Sequence, residues 1–487
     1  DVCSSDLKRP GHHHQFLRPS AAAHARFGQP SRRKMGRAFG AVPLNLNETL
    51  ARGDFAGALA LIQPLLTARP EDPVLLRLAG HCLARVGRHD ESEHHWKQAL
   101  QIVPGCPEAT CGLGELRLDQ GDFSAALNLF QSAPSSIRSQ LGALSALERS
   151  GRLDEALALV EAHADLLHDG QFAYAAAVAL DRAGQPQRAL NILQGALDQT
   201  TKPVVQKRLW FRIGRILDAA GDHEGAWSAW TNANALLEPA WDPEKTRHTF
   251  EAIKAIPVEP GPTPCAATPV FVVGLPRCGS TLLESKLASR HGVTALGEDS
   301  SLLRAAHALP GGWPKGAAEL QESTRPEGWW SESGETTTFV DKNLFNHLVL
   351  PFILHVLPNA RFIHLRRNQA DTLLSCFAEP LPARLHPWTT SPGRLSQYAA
   401  LHNDLMSHWS KQMPTEQWLE VSYESMVQDM DATLRTVGQF AGINVEQQKS
   451  TDEATAPKPI TISYEQLGAV RTDRSGRGQR YEAWFTR

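Results

Sequence analysis

A glycine-containing turn near the middle of the chain has the residue types and spacing of a phosphate-binding loop. The apolar run at residues 270–273 predicts a buried β-strand, Gly274 and Gly279 follow it, and a helix is predicted to begin near Ser280. This order aims backbone N–H groups and a helix N-terminus at a phosphate. Nucleotide-binding loops of the form G-x-x-x-x-G-K-[ST] have a lysine where this chain has Ser280, so an ATP-directed cation is missing there. Arg277 lies inside the turn instead, and its planar fork suits a single phosphate or sulfonate group.

The turn resembles the 5′-phosphosulfate loop of sulfotransferases that use 3′-phosphoadenosine-5′-phosphosulfate (PAPS) as sulfonate donor. That loop typically reads P-R-S-G-[ST]-T after a hydrophobic strand. The matching residues here are Pro276, Arg277, Cys278, Gly279, Ser280 and Thr281. The resemblance implies that the last five of these bind PAPS and that Arg277 also takes part in catalysis. Cys278 replaces the usual serine, but since that position mainly offers a backbone N–H, we expect binding to survive.

A second element of the resemblance follows the predicted strand at residues 361–365. In the family, an arginine at the end of this strand and a serine eight residues later, on the next helix, bind the 3′-phosphate of the nucleotide. Arg367 and Ser375 have this spacing, and the helix is predicted to begin near Ala370. Arg366 is the neighbouring alternative, but alternation along a strand would point it to the opposite side.

The resemblance also implies candidates for catalysis. The segment D-K-N-L is similar to the family's D-K-x-P segment, which makes Lys342 the candidate for stabilising charge on the transferring sulfonate. A carboxylate in the second βα segment is the base in the tyrosylprotein-sulfotransferase-like branch, and Glu298 is our prediction for it. Asp299 stays an alternative, because a shift of one residue in register exchanges the two. The other branch uses a histidine base, and His291 and His347 are available, although neither matches a motif.

The C-terminal part of the chain adds weaker matches, and the whole resemblance covers about residues 270–484. A late strand and helix place Tyr423 near the adenine, and the tail resembles the loop that closes over the 3′-phosphate. Arg471 and Arg477, with Arg474 as a further option, are its candidate donors, and a mobile basic tail is the alternative interpretation. We predict no metal requirement, because paired carboxylates with a Ser/Lys couple in the loop are not found in the sequence.

A repeat fills the N-terminal half. A turn of the form G-[DRQ] followed by a small residue four places later recurs every 30 to 37 residues, at Gly53, Gly87, Gly121, Gly151, Gly184 and Gly221. The pattern predicts helical hairpins, in which glycine ends the first helix and the small residue allows close packing of the second. Pro70 and Pro104 stand where second helices should end. The pattern resembles the tetratricopeptide repeat (TPR) over residues 46–237, and such an array either binds a protein or peptide or serves only for docking and solubility.

The composition is that of a soluble globular protein with more than one domain. The chain has 487 residues, 42% of them hydrophobic, and a formal net charge of −3, so no overall field favours nucleic acid or an anionic membrane. No apolar run reaches the roughly 20 residues that a membrane-spanning helix needs. The seven cysteines are scattered without a C-x-x-C pair, which predicts neither a disulfide framework nor a zinc site and favours a reducing, cytoplasmic location.

The predicted fold class is α + α/β, an all-α TPR solenoid followed by a P-loop-like α/β domain with a mostly parallel sheet. We expect a disordered or non-native tail at residues 1–44, where residues 2–7 resemble sequencing-adapter read-through and Met35 is a candidate start. The TPR-like domain is predicted at 45–240, a Pro-rich linker at 241–268 and the sulfotransferase domain at 269–487.

As a whole, the chain is similar to TPR-containing PAPS-dependent sulfotransferases of the bacterial type. The implied activity is transfer of a sulfonate group from PAPS to a hydroxyl or amine of an acceptor that the sequence does not identify, whether peptide, protein, saccharide, lipid or small phenol. Two alternatives are a P-loop kinase with a degenerate loop and a non-catalytic TPR scaffold with a vestigial nucleotide-binding domain.

Overall fold

Helices alone make up the first part of the described chain. The structure, a computed structural model, describes residues 44–320, 337–448 and 475–485. The helices before the first strand are α1 Leu44–Ala51, α2 Phe55–Ala68, α3 Pro73–Arg85, α4 His89–Ile102, α5 Pro107–Gln120, α6 Phe123–Ser132, α7 Ile137–Arg149, α8 Leu153–Ala162, α9 Gly170–Arg182, α10 Pro186–Gln199, α11 Pro203–Ala219, α12 His223–Ala235 and α13 Pro243–Lys254. A 3₁₀-helix, Ala164–His168, lies between α8 and α9.

The predicted helical hairpins are confirmed. Each of the six predicted turn glycines lies between two helices with a φ angle of 73° to 86°, the left-handed conformation that glycine adopts without strain. The small residue of each turn has no exposed surface, which allows its helix to pack closely; these are Ala58, Ser92, Ala126, Ala156, Ala189 and Ala226. Pro70 and Pro104 each follow the end of a second helix, α2 or α4, by two residues, as predicted.

The described chain divides into two compact units, one ending at Ala143 and the other beginning at Leu144. Of the predicted tail, only Leu44 lies within the described residues. The predicted domain boundaries stay predictions. The segment predicted as a linker contains helix α13, whose Phe250 and Ile253 are buried in the core of the second unit.

A five-stranded parallel sheet forms the centre of the second unit. The strands are β1 Thr268–Val273, β2 Val293–Gly297, β3 Thr338–Asp341, β4 Arg361–Arg366 and β5 Trp418–Ser422. Their order across the sheet is β2-β3-β1-β4-β5, with Phe271 of β1 opposite Asp341 of β3 and Phe362 of β4. All pairings are parallel, so every strand ends at the same edge.

Helices cover both faces of this sheet. They are α14 Ser280–Ala288, α15 Ser301–His307, α16 Leu350–Val356, α17 Gln369–Phe377, α18 Pro392–Gln412, α19 Tyr423–Gln428, α20 Met430–Ala441 and α21 Glu482–Phe485, with 3₁₀-helices Lys315–Glu319, Leu344–Leu348, Pro387–Thr390 and Arg477–Tyr481. Helices α14, α19 and α20 pack on the face that carries Val270 and Val272. Helices α15 to α18 pack on the face that carries Phe271 and Val273.

The second face of the sheet shares its core with the last helices of the repeat array. Trp230 of α12 and Phe250 of α13 are buried in the same cluster as Phe271 and Phe352. The Asn234 side chain donates a hydrogen bond of 2.9 Å to the carbonyl oxygen of Phe377. Residues of α12 and α13 therefore belong to the hydrophobic core beneath the sheet. Burial of apolar surface there stabilises both the sheet and the last repeat helices.

The predicted fold class is confirmed: a helical repeat array precedes an α/β domain built on a parallel sheet. Within the described ranges, no helix has both the length and the apolar character needed to cross a membrane.

Candidate functional site

The strand order predicts where a ligand should bind. The chain leaves β1 toward β2 on one side of the sheet and leaves β4 toward β5 on the other. Crevices form at the carboxyl ends of adjacent parallel strands whose connections diverge in this way. The loop at 274–279 follows β1, and Arg367 follows β4, so both lie at this point of divergence.

The loop after β1 has a strained backbone that glycine and one arginine maintain. Gly279 has a φ angle of 102°, and a Cβ atom there would lie 2.5 Å from Cδ2 of Tyr423. A Cβ atom on Gly274 would lie 2.6 Å from the carbonyl oxygen of Leu365. Arg277 has a φ angle of 71°, and in the described ranges it is the one residue other than glycine with a positive φ. Such strain collects at binding sites, and the turn leads directly into the N-terminus of α14, where backbone N–H groups attract anions.

The Arg277 side chain reaches across the crevice to α17. Its Nε donates a hydrogen bond of 3.1 Å to Oγ of Ser375, and its Nη2 lies 3.6 Å from Oε1 of Glu379. Arg367 Nη1 donates a hydrogen bond of 3.1 Å to the carbonyl oxygen of Arg277. The structure therefore brings the predicted residues Arg277, Arg367 and Ser375 together in one group.

The two neighbouring arginines after β4 differ in their surroundings. The Arg367 side chain is 8% exposed, lies 3.9 Å from Asp371 and stands 4.6 Å above the ring of Tyr423. The Arg366 side chain is 64% exposed and pairs with Glu420 at 3.0 Å. Arg367 is thus the one that faces the loop, as the alternation argument predicts.

Two thiols lie under the loop without adding charge to it. Burial raises the pKa of Cys278 to about 11 and the pKa of Cys376 to about 12, so both are neutral near pH 7. Cys376 donates a hydrogen bond of 3.4 Å to the carbonyl oxygen of Pro276. The Cys278 side chain is buried, and its backbone N–H donates a hydrogen bond of 3.3 Å to the carbonyl oxygen of Leu275.

On the other side of β1, Lys342 lies between two carboxylates. Its side chain is 2% exposed, and Nζ donates a hydrogen bond of 2.8 Å to Oε1 of Glu298, which is 72% exposed. Nζ also lies 4.0 Å from Oε2 of Glu284, which has no exposed surface. The predicted lysine and the predicted base therefore contact each other at the carboxyl ends of β2 and β3.

Asp299, the alternative base, has a different set of contacts. Its Oδ1 accepts a hydrogen bond of 2.8 Å from the backbone N–H of Ser301 and another from the Ser301 hydroxyl, at the start of α15. Its carbonyl oxygen accepts a hydrogen bond of 2.8 Å from Nδ2 of Asn343. These contacts give Asp299 a local structural role, and Lys342 contacts Glu298 instead.

The two histidines considered as bases lie elsewhere. His347 is buried against Phe250 and His402, and burial lowers its pKa to about 4. His291 precedes β2 and is exposed, so it lies at the amino end of the strands, away from Lys342.

A cavity of about 480 Å³ lies next to the loop, at the carboxyl ends of β4 and β5. Cys278, Arg367 and Thr372 line it on the side of the loop, and His402 and Glu420 line the far side. Tyr423 begins the helix after β5, and its ring contacts the loop through Gly279 and Arg367. The predicted place of Tyr423 near the adenine stays a prediction.

The described part of the C-terminal tail packs on α17 and on the repeat helix α11. The backbone N–H groups of Gly476 and Gly478 donate hydrogen bonds of 2.8 and 2.5 Å to the Asp371 carboxylate. Arg477 donates through Nε to Asp218 of α11 at 2.7 Å, and its guanidinium stands 5.6 Å above the ring of Trp230. Arg471 and Arg474 lie outside the described residues.

Sequence reasoning did not single out three residues of this site. Glu284 and Glu379 contact Lys342 and Arg277, respectively. His386 stacks on Phe345 at 5.2 Å and lies within electrostatic reach of Glu298; burial lowers its pKa to about 4. The sequence offered a signal only for Glu284, an acidic residue among the buried positions of α14. Glu379 and His386 reach the site through contacts between residues that are far apart in the chain.

Models of two known families each match part of the chain. A model of the sulfotransferase family matches residues 269–447, which include β1 to β5 and the site described above. A tetratricopeptide repeat model matches residues 47–107, 79–140, 111–167 and 174–233. In the described ranges, no group of three or more His, Cys, Asp or Glu side chains is arranged to hold a metal ion.

Two curated proteins are similar to part of this chain. An uncharacterized protein of Aquifex aeolicus (strain VF5) is 24% identical over 306 residues, 57% of this chain and 40% of that protein. Tetratricopeptide repeat protein 34 of Mus musculus is 27% identical over 218 residues, 40% of this chain and 39% of that protein. The chain thus spans about two fifths of the length of these relatives. Among solved structures, a tetratricopeptide repeat protein from Parabacteroides merdae has 16% identity and a TM-score of 0.35, and the match covers 42% of this chain and 79% of that one.

Proposed function

For this chain, which contains a sulfotransferase-family domain preceded by tetratricopeptide repeats, we propose transfer of a sulfonate group from PAPS to a hydroxyl or amine. The observation that carries the proposal is the meeting of Arg277, Arg367 and Ser375 beside the strained loop. Sulfonate transfer from a nucleotide needs such a group of anion-binding residues next to a base and a buried cation.

The loop side of the crevice is suited to the donor. Arg277 and the backbone N–H groups at the start of α14 would bind the phosphosulfate, with Cys278, Gly279, Ser280 and Thr281 supplying the loop. Gly279 is suited to this turn because its φ angle of 102° favours glycine and a Cβ atom there would clash with Tyr423. In binding the donor, Arg277 exchanges its contact with Glu379 for a contact with phosphate or sulfonate oxygens.

The 3′-phosphate side rests on Arg367 and Ser375. Both face the loop, and the cavity at the ends of β4 and β5 offers room for the nucleoside. Ser422 and Glu424, on either side of Tyr423 in the chain, line this cavity. The contacts that we predict for Arg471 and Arg477 with the 3′-phosphate stay predictions. Arg477 would have to exchange its pairing with Asp218 for such a contact.

For the chemical step, Glu298 accepts the proton of the acceptor hydroxyl or amine as the new bond to sulfur forms. Lys342 stabilises the negative charge that develops on the sulfonate and on the oxygen that leaves with the nucleotide. The exposure of Glu298 and its 2.8 Å contact with Lys342 support these roles. They favour Glu298 over Asp299 as the base. They also favour a carboxylate base, as in the tyrosylprotein-sulfotransferase-like branch, over a histidine base.

The acceptor is a proposal at the level of chemistry alone. A hydroxyl or amine on a peptide, protein, saccharide or small molecule would suit Glu298, and the repeats would recruit a peptide or protein partner. The cytoplasmic location predicted from the cysteines stays a prediction. A P-loop kinase is less well supported, because the cations at the loop are two arginines that contact Ser375 and Asp371 of α17, and the loop has no lysine.

Calorimetry with the desulfated nucleotide, 3′-phosphoadenosine 5′-phosphate (PAP), and with Mg-ATP tests the proposal. We expect PAP to bind and ATP to bind at least about tenfold more weakly, because ATP lacks the 3′-phosphate. Arg277→Ala and Arg367→Ala should each weaken PAP binding by about 10- to 100-fold, the effect of removing a charged hydrogen-bond donor.

The matched control is Arg361→Ala, at the opposite end of the same strand, where the arginine contacts Phe440. This variant should bind PAP like the wild type. Tighter binding of Mg-ATP than of PAP would favour the kinase, and unchanged PAP affinity in Arg277→Ala would remove the basis for the assignment. PAP binding without sulfonate transfer to any acceptor would favour the scaffold.

A further inference from the structure

Glu284 is a carboxylate with no exposed surface, on the helix that follows the phosphate-binding loop. Burial of a carboxylate is costly unless hydrogen bonds or an opposite charge compensate for it. Its neighbours on the same helix, Leu283 and Leu287, are ordinary core residues. Nothing in the packing of α14 requires a carboxylate at this position, so the contacts of Glu284 must account for it.

Those contacts join three segments at the catalytic edge. Glu284 Oε1 accepts a hydrogen bond of 2.9 Å from the backbone N–H of Gly297, at the end of β2. The backbone N–H of Lys342 donates a hydrogen bond of 2.8 Å to the carbonyl oxygen of Gly297. Glu284 is therefore attached to the same residue that pairs with Lys342 and directly precedes Glu298.

The second oxygen of Glu284 faces the Lys342 ammonium. Oε2 lies 4.0 Å from Nζ, and no hydrogen-bond donor contacts this oxygen in the described ranges. On its other side, Nζ donates to Glu298 at 2.8 Å. One ammonium group thus stands between a buried carboxylate and an exposed one.

We propose that Glu284 is a positioning residue whose protonation state controls how strongly Lys342 acts on the sulfonate. This rests on the proposed function. When Glu284 is neutral, the charge of Lys342 is balanced by Glu298 alone and is directed toward the open edge. When Glu284 is ionised, it attracts Lys342 inward and adds a negative charge that opposes an anionic group.

The state of Glu284 changes in the neutral pH range. Burial raises its pKa to about 7; Lys342 opposes the shift and Glu298 adds to it. Two further carboxylates lie nearby at the ends of the same strands, Asp299 and Asp341, and burial raises the pKa of Asp341 to about 8. Asp341 accepts its hydrogen bonds from the Asn343 N–H and the Asn346 side chain.

The sign of the effect follows from charge. A sulfonate beside Lys342 favours the neutral form of Glu284, so PAPS should bind best below pH 7 and more weakly as pH rises through the pKa of Glu284. Ligand-induced elevation of that pKa by one unit corresponds to about a tenfold change in affinity. We expect a decline of about this size between about pH 6 and pH 8.5.

The test is calorimetry of PAPS binding without acceptor at several pH values across this range, in wild type and Glu284→Gln. Titration of the nucleotide itself is common to both proteins, so the ratio of their affinities isolates Glu284. Glu284→Gln should lose the decline and match the wild type at the acidic end of the range. Glu115→Gln, in the first unit, is the control and should keep the wild-type profile.

The rate of sulfonate transfer from PAPS to water, measured as release of PAP, gives a second pH profile. In Glu284→Gln this rate should change little above pH 7. If Glu284→Gln fails to fold, Lys342→Met serves instead. Loss of the ammonium raises the pKa of Glu284 further and should also remove the decline. A wild-type decline that persists in the folded variant, or a wild type without one, would overturn the inference. Failure of the wild type to bind PAP at all would instead refute the proposed function.

Discussion

At the scale of single residues, the site depends on how burial and charge divide tasks between similar side chains. Arg366 and Arg367 are adjacent, yet only Arg367 is buried against the loop and Tyr423. Glu298 and Asp299 are adjacent as well, and their contacts differ in the same way. Glu298 contacts Lys342 from the exposed edge, whereas Asp299 binds the backbone at the start of α15.

This difference predicts unequal effects of removing the two charges. Glu298→Gln should lower the turnover rate of sulfonate transfer by about 10²- to 10⁴-fold, the usual contribution of a general base. Asp299→Asn keeps an oxygen for the Ser301 N–H and should change the rate by less than about threefold, as for substitutions that preserve a cap. Both rates are measured with saturating PAPS, and PAP affinity should stay near that of the wild type in both. A larger loss in Asp299→Asn would identify Asp299 as the base.

At the scale of elements, the loop between β1 and α14 is shaped by what packs against it. Gly274 lies against the end of β4, and Gly279 lies against the ring of Tyr423 after β5. The loop is therefore held by the two strands on the other side of the divergence point. This close packing at Gly274 and Gly279 fixes the path of the loop backbone.

Gly279→Ala should disturb this element strongly. The new Cβ atom would clash with Tyr423 in a left-handed backbone, and we expect a loss of about 2 kcal/mol or more in unfolding free energy. PAP binding should be lost with it. Gly442→Ala is the matched control, because this glycine at the end of α20 has a φ angle of 75° but open space around its Cβ position.

Gly442→Ala should lower the free energy of unfolding by about 1 kcal/mol, because alanine is strained in a left-handed backbone. Its PAP affinity should stay within about twofold of the wild type, as for a distant, independent site. Chemical denaturation and calorimetry give the two quantities. Wild-type PAP affinity in Gly279→Ala would show that the close approach to Tyr423 is not needed for binding.

At the scale of the second unit, the C-terminal segment at residues 475–485 connects the sheet domain to the repeat helices. Asp371 of α17 accepts hydrogen bonds from backbone N–H groups of this segment. Asp218 of α11 accepts hydrogen bonds from Arg477 and, at 2.6 Å, from the Tyr481 hydroxyl. Trp484 stacks on Trp227 of α12 at 5.6 Å. The helix that carries Ser375 is thereby linked to the end of the repeat array.

Asp218→Ala and Arg477→Ala test this connection. Each should lower the unfolding free energy by about 2 kcal/mol, because each leaves a partly buried partner without its hydrogen bond. The double variant should lose less than the sum of the two single losses, since both single losses include the Arg477–Asp218 contact. Additive losses in chemical denaturation would contradict this view of the pair. A loss of PAP affinity in Arg477→Ala alone would support the predicted phosphate contact of Arg477.

Local signals in the sequence were sufficient for most of the secondary structure around the site. The glycine period of the repeats, the apolar run before Gly274 and the helix start at Ser280 depend on residues close in the chain, and the structure agrees with each. The linker prediction relied on prolines at 257–264 and overlooked α13, whose buried face has only two large apolar residues, Phe250 and Ile253.

The sequence by itself determined the fold class and the loop, because strand, turn and helix signals are carried by neighbouring residues. The candidate residues came from the resemblance of its motifs to those of sulfotransferases. Only the tertiary structure decided which candidates meet. The pairing of Lys342 with Glu298 rather than Asp299, the reach of Arg277 to Ser375 and the burial of Glu284 beside Lys342 all depend on strand order and register. These are long-range features, and a carboxylate reveals its partner and its pKa only when the surrounding elements have removed it from water.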